Sequence, residues 1–337
     1  MSPHSERGPA RQGGRLVGVL ASVAIIAGFQ ATVRASPPGP AGAGLWAHDN
    51  LVAWCVVPFD AARRGPEARA AMLEDLGFRQ FAYDWRDRDI PTFDAEIDAL
   101  QRHHVGLLAW WFPLAAEDPK ALPILETFRR HGVRPQLWFA SMDAAVPRTP
   151  GEQAQFVEAA ARRVAALERL AAPYGCRVEL YNHNGWFGRE ENELAVLESL
   201  RRQGIADVGM VYNFSHCRDS AHDDSRQFPA LWARIKDHVV AVNVTGLYRE
   251  GVLVYPSQGD SELEMMRTIQ HSGWTGPIGV IAEKGGDAQQ TLGNYVKGLD
   301  WLAAELREPG SGGPRPFGGP VAPAPKPGLN RGEKLKP

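Results

Sequence analysis

Between residues 51 and 283 a short apolar run recurs eight times, each time followed by a longer stretch whose apolar residues fall at helical spacing. No other feature of the chain restricts its fold so tightly. The runs are "LVAWCVV", "FRQFAYDW", "VGLLAWWF", "VRPQLWFA", "CRVELYN", "DVGMVYNF", "HVVAVNV" and "PIGVIAE". Between them Met72 pairs with Leu76, Phe93 with Ile97 and Leu100, Ile124 with Phe128, and Leu263 with Met266 and Ile269, each set on one helical face. Strands that are apolar almost throughout, alternating with amphipathic helices, imply a parallel sheet covered on both faces. Eight such units predict an α/β chain closed into a single-domain (β/α)8 barrel over residues 50–307. An open doubly wound sheet fits less well, because no glycine-rich phosphate loop follows the first run.

The punctuation between the runs supports the same reading. Thr149, Pro150 and Glu152 have the order of an N-cap, first-turn proline and capping box, and Ser261 with Glu264 repeats the box. Gly77, Gly132, Gly175, Gly204 and Gly273 each stand shortly before an apolar run, where a left-handed residue ends a helix.

Outside the barrel the two ends differ in composition. Residues 1–35 carry Arg7, Arg11 and Arg15, then the apolar stretch 16–31, then small residues up to Ala35. This order predicts a secretory signal segment. A retained anchor is the alternative, although the stretch falls short of the roughly 20 apolar residues a spanning helix needs. Export to the periplasm or medium is therefore expected, with no membrane span after cleavage and residues 36–49 as a linker. From Glu308 onward Pro and Gly supply 15 of the 30 residues, so residues 308–337 read as a disordered tail. A net charge of −2 with both signs interspersed leaves no basic stripe for a phosphate backbone, which argues against nucleic acid as a partner. Cys55, Cys176 and Cys217 are too few and scattered for a disulfide framework or a CxxC site, and read as buried and inert.

Active sites of such barrels gather at the carboxyl ends of the strands, so the polar residues just beyond each run are the candidates. They are Asp60, Asp84 with Trp85, Trp111, Ser141 with Asp143, the cluster Tyr181, Asn182, His183, Asn184 and Trp186, Asn213 with His216, Asn243, and Glu283 with Lys284. Glu179 and Glu283 are the glutamates on late strands. Strand alternation puts Glu179 on the face of Tyr181 and His183, one layer lower, where a paired structural carboxylate is the competing reading. Two carboxylates across a cavity would suit glycoside hydrolysis. His183, His216 and Glu283 offer two imidazoles and a carboxylate, a set that could hold a divalent ion. Ten tryptophans are many for this length, and flat indoles beside amides suit the faces and hydroxyls of a sugar. Trp54, Trp110 and Trp138 read as packing; Trp85, Trp111 and Trp186 divide between packing and ligand.

The segments "LYNHNGWFG", "VGMVYNFSH", "VVAVNVTGL" and "GPIGVIAEKGGDAQQTLGNYVKGLDWL" resemble strands five to eight of the xylose-isomerase-like TIM barrels, a superfamily of sugar isomerases and epimerases. The likeness runs from about Asn50 to Leu302 and is nearest to its secreted bacterial branch. The resemblance implies a carbohydrate ligand, a divalent ion (Mn, Mg or Zn), and a proton moved beside a substrate carbonyl. This chain departs from the family's ligand pattern at three places. Tyr181-Asn182-His183 stands where the family has Glu-Asn-His, Asn213-Phe214-Ser215-His216 where it has Asp-x-x-His, and Asn243 where it has histidine. His216 and Glu283 remain as metal ligands, and amides with a phenol would hold an ion weakly.

Three readings follow. In the first, the barrel is a sugar isomerase- or epimerase-like enzyme, with Glu283, His183 or Glu179 transferring the proton and Lys284 steadying the enolate. Tyr181, Asn182, Trp186, Asn213, His216, Asn243, Asp84, Trp85 and Trp111 then contact the substrate. In the second, the same groups form a non-catalytic carbohydrate-binding site. The third is a glycoside hydrolase using Glu179 and Glu283.

Overall fold

The computed structural model describes residues 44–141, 145–183, 185–219, 226–248, 253–282 and 285–318, with residues 217–219 described by their backbone alone. All eight apolar runs form strands: β1 (Leu51–Trp54), β2 (Gln80–Tyr83), β3 (Gly106–Trp111), β4 (Gln136–Phe139), β5 (Arg177–Tyr181), β6 (Gly209–Asn213), β7 (Val239–Val244) and β10 (Ile278–Ile281). They pair in parallel in chain order, and β10 returns to β1 with Leu51 opposite Ile278, so the sheet is a closed barrel. Eight helices lie between and after the strands: α1 (Pro66–Asp75), α2 (Phe93–Arg102), α3 (Ala121–His131), α4 (Pro150–Ala171), α5 (Glu190–Arg202), α6 (Phe228–Ile235), α7 (Glu262–His271) and α8 (Ala288–Arg307). The chain is thus a (β/α)8 barrel, as the periodicity predicts. One element escapes the periodicity, the antiparallel hairpin β8 (Gly246–Leu247) and β9 (Leu253–Val254). Strands of two residues are too short to carry an alternation pattern.

The five helix-ending glycines all adopt positive φ, from +66° at Gly132 to +81° at Gly77 and Gly204. Thr149 caps α4 by accepting the Glu152 amide at 3.1 Å, and the Glu152 carboxylate reaches back to the Arg148 amide at 2.6 Å. The second box does not form. Ser261 donates instead to Asp260, while Glu262 accepts the amides of Leu247 and Gly259 and so fastens α7 to the hairpin.

The barrel interior is filled by indoles and phenols. Trp54 on β1 and Trp138 on β4 meet across the lumen with ring centroids 4.1 Å apart, Tyr181 stacks on Trp138 at 5.6 Å, and Trp111 abuts Tyr181 at 4.6 Å. Such pairs each add about 0.5–1.5 kcal/mol beyond the area they bury. Rings of this size need small residues opposite them. A Cβ on Gly279 would stand 2.1 Å from the Trp54 ring, and one on Gly209 would stand 2.5 Å from Val240 and 2.7 Å from the Glu179 carboxylate. Trp110 points outward instead and packs between Phe93 of α2 and Phe128 of α3.

A polar clamp joins the first and last units. Arg64 pairs with Asp60 and Asp287, both at 2.7 Å; Asp60 also accepts the Ala288 amide, and Asp287 caps α8 through the Gln290 amide. Asp60 therefore works in the seam of the barrel. Residues 308–318, which composition assigns to the tail, lie against α8 and the hairpin. Trp301 donates to the Gly313 carbonyl, Arg315 covers the Trp301 ring, and Phe317 packs on Tyr255. Two aromatic anchors supply here what the Pro/Gly average hides. The expected signal segment lies outside the described residues; among those described, no helix is long and apolar enough to cross a membrane.

Candidate functional site

A cavity of about 300 Å³ opens at the carboxyl ends of the strands. Tyr181 and Trp111, the upper members of the aromatic stack, form part of its lining; Asp84, Arg86, His183 and His216 bring polar groups to it. β6 stands four strands round the barrel from β2, so His216 and Asp84 follow strands on opposite walls. The rings of His183 and His216 lie 4.3 Å apart, and each also approaches Tyr181.

Asp84 has the most distinctive environment. It is buried, and one carboxylate oxygen accepts the Val57 amide at 3.3 Å. The other has no hydrogen-bond partner among the described residues. Desolvation pushes its pKa up to about 7, against the opposing pull of Arg86 and the Val57 amide. Arg86 is held at the rim because its guanidinium donates to the Asp84 and Trp85 carbonyls at 2.7 and 2.8 Å.

The asparagines predicted to face a ligand are spent on one another. Asn182 accepts the Asn213 amide through Oδ1 at 2.8 Å. The Asn213 side chain donates to the Tyr181 hydroxyl at 2.5 Å and accepts from the Ser215 amide and hydroxyl. This chain of bonds fixes the Tyr181 phenol beneath the cavity. Asn243 is buried next to Gly279, and neither atom of its amide finds a partner among the described residues. Trp186 turns away toward α4, donating to Gln153 at 2.7 Å and packing on Phe156.

Glu179 sits one layer below the cavity, as alternation predicts, and does not line it. It is fully buried and accepts the Gly209 amide at 2.6 Å; desolvation raises its pKa to about 8. Glu190 and Glu193, in the first turn of α5, are also fully buried, and burial raises both, Glu190 to about 7. Glu283, Lys284, Asp143 and Asn184 lie outside the described residues.

Thus Tyr181, His183, His216, Asp84 and Trp111 come together at the cavity, and Trp85 lines a groove beside it. Cys55 and Arg86 join the lining without having been singled out. Cys55, expected to be buried and inert, is half-buried there with φ +50°, just past the end of β1. Non-glycine residues with positive φ concentrate at turns and functional sites, but sequence gives no sign of one. Cys176 does match the expectation: it is buried, and its pKa is raised to about 12. The described residues do not supply a metal centre. No group of three or more His, Cys, Asp or Glu side chains among them is placed to hold an ion, and the amides at the family's ligand positions are committed to hydrogen bonds or buried.

Neither a known family model nor a curated protein matches the chain. Solved structures do. The IOLI protein, solved with a zinc atom, matches with a TM-score of 0.56 and 13% identity over 76% of this chain and 98% of that one. A xylose isomerase domain protein from Alicyclobacillus acidocaldarius matches at 0.54 and 16% over 77% and 99%. D-allulose 3-epimerase from Methylomonas sp., in complex with D-allulose, matches at 0.53 and 13% over 78% and 97%. The chain shares the closed (β/α)8 fold of these proteins. At these identities the likeness concerns the fold, while function has to be argued from the site.

Proposed function

We propose that this barrel binds a small neutral carbohydrate at its mouth and moves a proton next to the sugar carbonyl, as an isomerase or epimerase does. The observation that carries this reading is the pairing, in one cavity, of a buried carboxyl titrating near neutrality with two imidazoles from the far wall. A group with a pKa near the working pH is the most effective proton carrier, because it is present in the needed form and still has driving force for transfer. Ionised Asp84 takes the proton from the carbon beside the carbonyl. Either histidine donates to the carbonyl oxygen as the enolate forms, and Tyr181 and Trp111 offer aromatic surface to the ring. Reprotonation from the opposite wall inverts the centre; reprotonation at the neighbouring carbon isomerises it. Glu283 and Lys284 remain part of the proposal as further proton-transfer and enolate-stabilising groups, on the resemblance alone.

Structures of the fold include one solved with zinc, and Glu283 with His216 would be the residues to hold an ion here. The donor set described above does not fit that role, and the proton steps proposed run through side chains alone. The hydrolase reading is disfavoured because Glu179 is bonded to Gly209 below the cavity. Export is supported by the basic-then-apolar N-terminal sequence.

The test is solvent-exchange NMR on pentoses and hexoses in D2O. Deuterium should enter beside the carbonyl with the wild-type protein and not with Asp84→Asn. A second reading, a receptor without chemistry, is favoured by the Tyr181–Asn213 bond occupying the family's ligand positions. It predicts saturable sugar binding and no exchange.

A further inference from the structure

Beside the cavity runs an open groove of about 350 Å³, and Trp111 and Leu114 line both. Its wall is Trp85 and its rim is the loop after β3, with Asp118 and Lys120. We propose that this groove is a second sugar subsite, so that the ligand of the barrel is a disaccharide unit with one ring in the cavity and the other on Trp85. The inference rests on the carbohydrate reading above and adds the size of the substrate.

Three features support it. First, Trp85 is held in a fixed orientation at the surface: its indole N–H donates to the Trp111 carbonyl at 2.8 Å, and its ring packs edge-on against Phe93 at 5.3 Å. A half-buried indole fixed in this way is a preformed platform, and ligands lose less entropy on such surfaces. Second, polar groups stand beside the platform. The Lys120 ammonium lies over the Trp85 ring, 5.6 Å from its centroid, and 3.1 Å from Asp87, and Asp118 accepts the Lys120 amide at 2.9 Å. An indole with a donor and an acceptor close by fits a sugar ring, whose C–H face stacks while its hydroxyls reach the charged groups. A flat aromatic substituent would leave Asp118 and Lys120 unused. Third, Leu114 is 41% exposed at the junction of the two spaces, where it would be covered by the linkage between the rings. Each space alone is at or near the lower end of the about 300–1,000 Å³ typical of small-molecule sites, and together they have room for two rings.

The test is calorimetric titration of the full chain with glucose, galactose and xylose against cellobiose, maltose, lactose and xylobiose. At least one disaccharide should bind tenfold or more tightly than its component monosaccharides. Lys120→Met, at an exposed position lining the groove alone, should remove most of that advantage and leave monosaccharide affinity unchanged. Trp85→Leu should remove it as well. Equal affinity for both sizes, or a Lys120→Met protein that keeps the full advantage, overturns the subsite and leaves the carbohydrate reading standing. Binding of none of these sugars defeats the carbohydrate reading itself.

Discussion

Asp84 and Glu179 are both carboxyls near the axis of the same barrel, both buried, and both raised toward neutrality for the same reason, loss of water. Asp84 goes to about 7 and Glu179 to about 8. They differ in what surrounds the oxygens. The Glu179 carboxyl meets the Gly209 amide within a packed layer, whereas Asp84 lines a cavity that also holds two imidazoles and keeps one buried oxygen without a partner among the described residues. A shifted pKa therefore marks burial, and an accessible cavity has to be added before it marks chemistry.

The sharpest way to break this comparison is to remove each charge in turn and follow turnover. Asp84→Asn should lower the exchange rate by about 10²–10⁴-fold, the usual contribution of a positioned acid or base. Glu179→Gln should leave the rate within about twofold, since a group out of reach of substrate supplies no such term. Equal losses in both would erase the distinction drawn here.

Stability gives the next largest effect, and there the two carboxyls act alike. The folded pKa of Glu179, about 8, lies above its value in the unfolded chain, so the native state holds the proton more tightly. Its contribution to stability is complete below the unfolded pKa, near 4, and is lost as pH rises through about 8. Wild-type melting temperature should fall between pH 5 and pH 9, and Glu179→Gln should flatten the curve, gaining on the order of 2 kcal/mol at pH 9. A flat wild-type profile would contradict this. Gly209→Ala tests the same layer by volume. The added methyl would stand 2.5 Å from Val240 and 2.7 Å from Glu179, and overpacking of this kind costs about 1–3 kcal/mol in chemical denaturation.

The smallest effect is in the pH–rate profile. With ionised Asp84 as the base, kcat should rise with pH through a limb near 7, and Glu179→Gln should leave that limb in place.

Much of the architecture was legible because it rests on local regularities. The eight runs and the five closing glycines each obey a rule that a short window of sequence carries. The site was legible only by position along the strands. His183, His216, Tyr181, Asp84 and Trp111 could be placed at the mouth by counting. That Asn182 and Asn213 would turn to each other, and Trp186 toward Gln153, depends on contacts between strands and helices far apart in the chain. The neutral polar groups at a strand end look alike in sequence whether they serve a ligand or a neighbour. Cys55 illustrates the opposite error, since a thiol in an apolar run gives no sign that the backbone turns left-handed beneath it.

The clamp of Arg64 with Asp60 and Asp287 sets an order of assembly. Its partners are separated by more than two hundred residues, so the link cannot exist until the last unit has emerged from the ribosome. A nascent chain holding only the first seven strands has an open edge at β1 and an arginine without its distant mate. Such a chain is a substrate for chaperones, and a premature stop before β10 should yield insoluble protein instead of a smaller barrel.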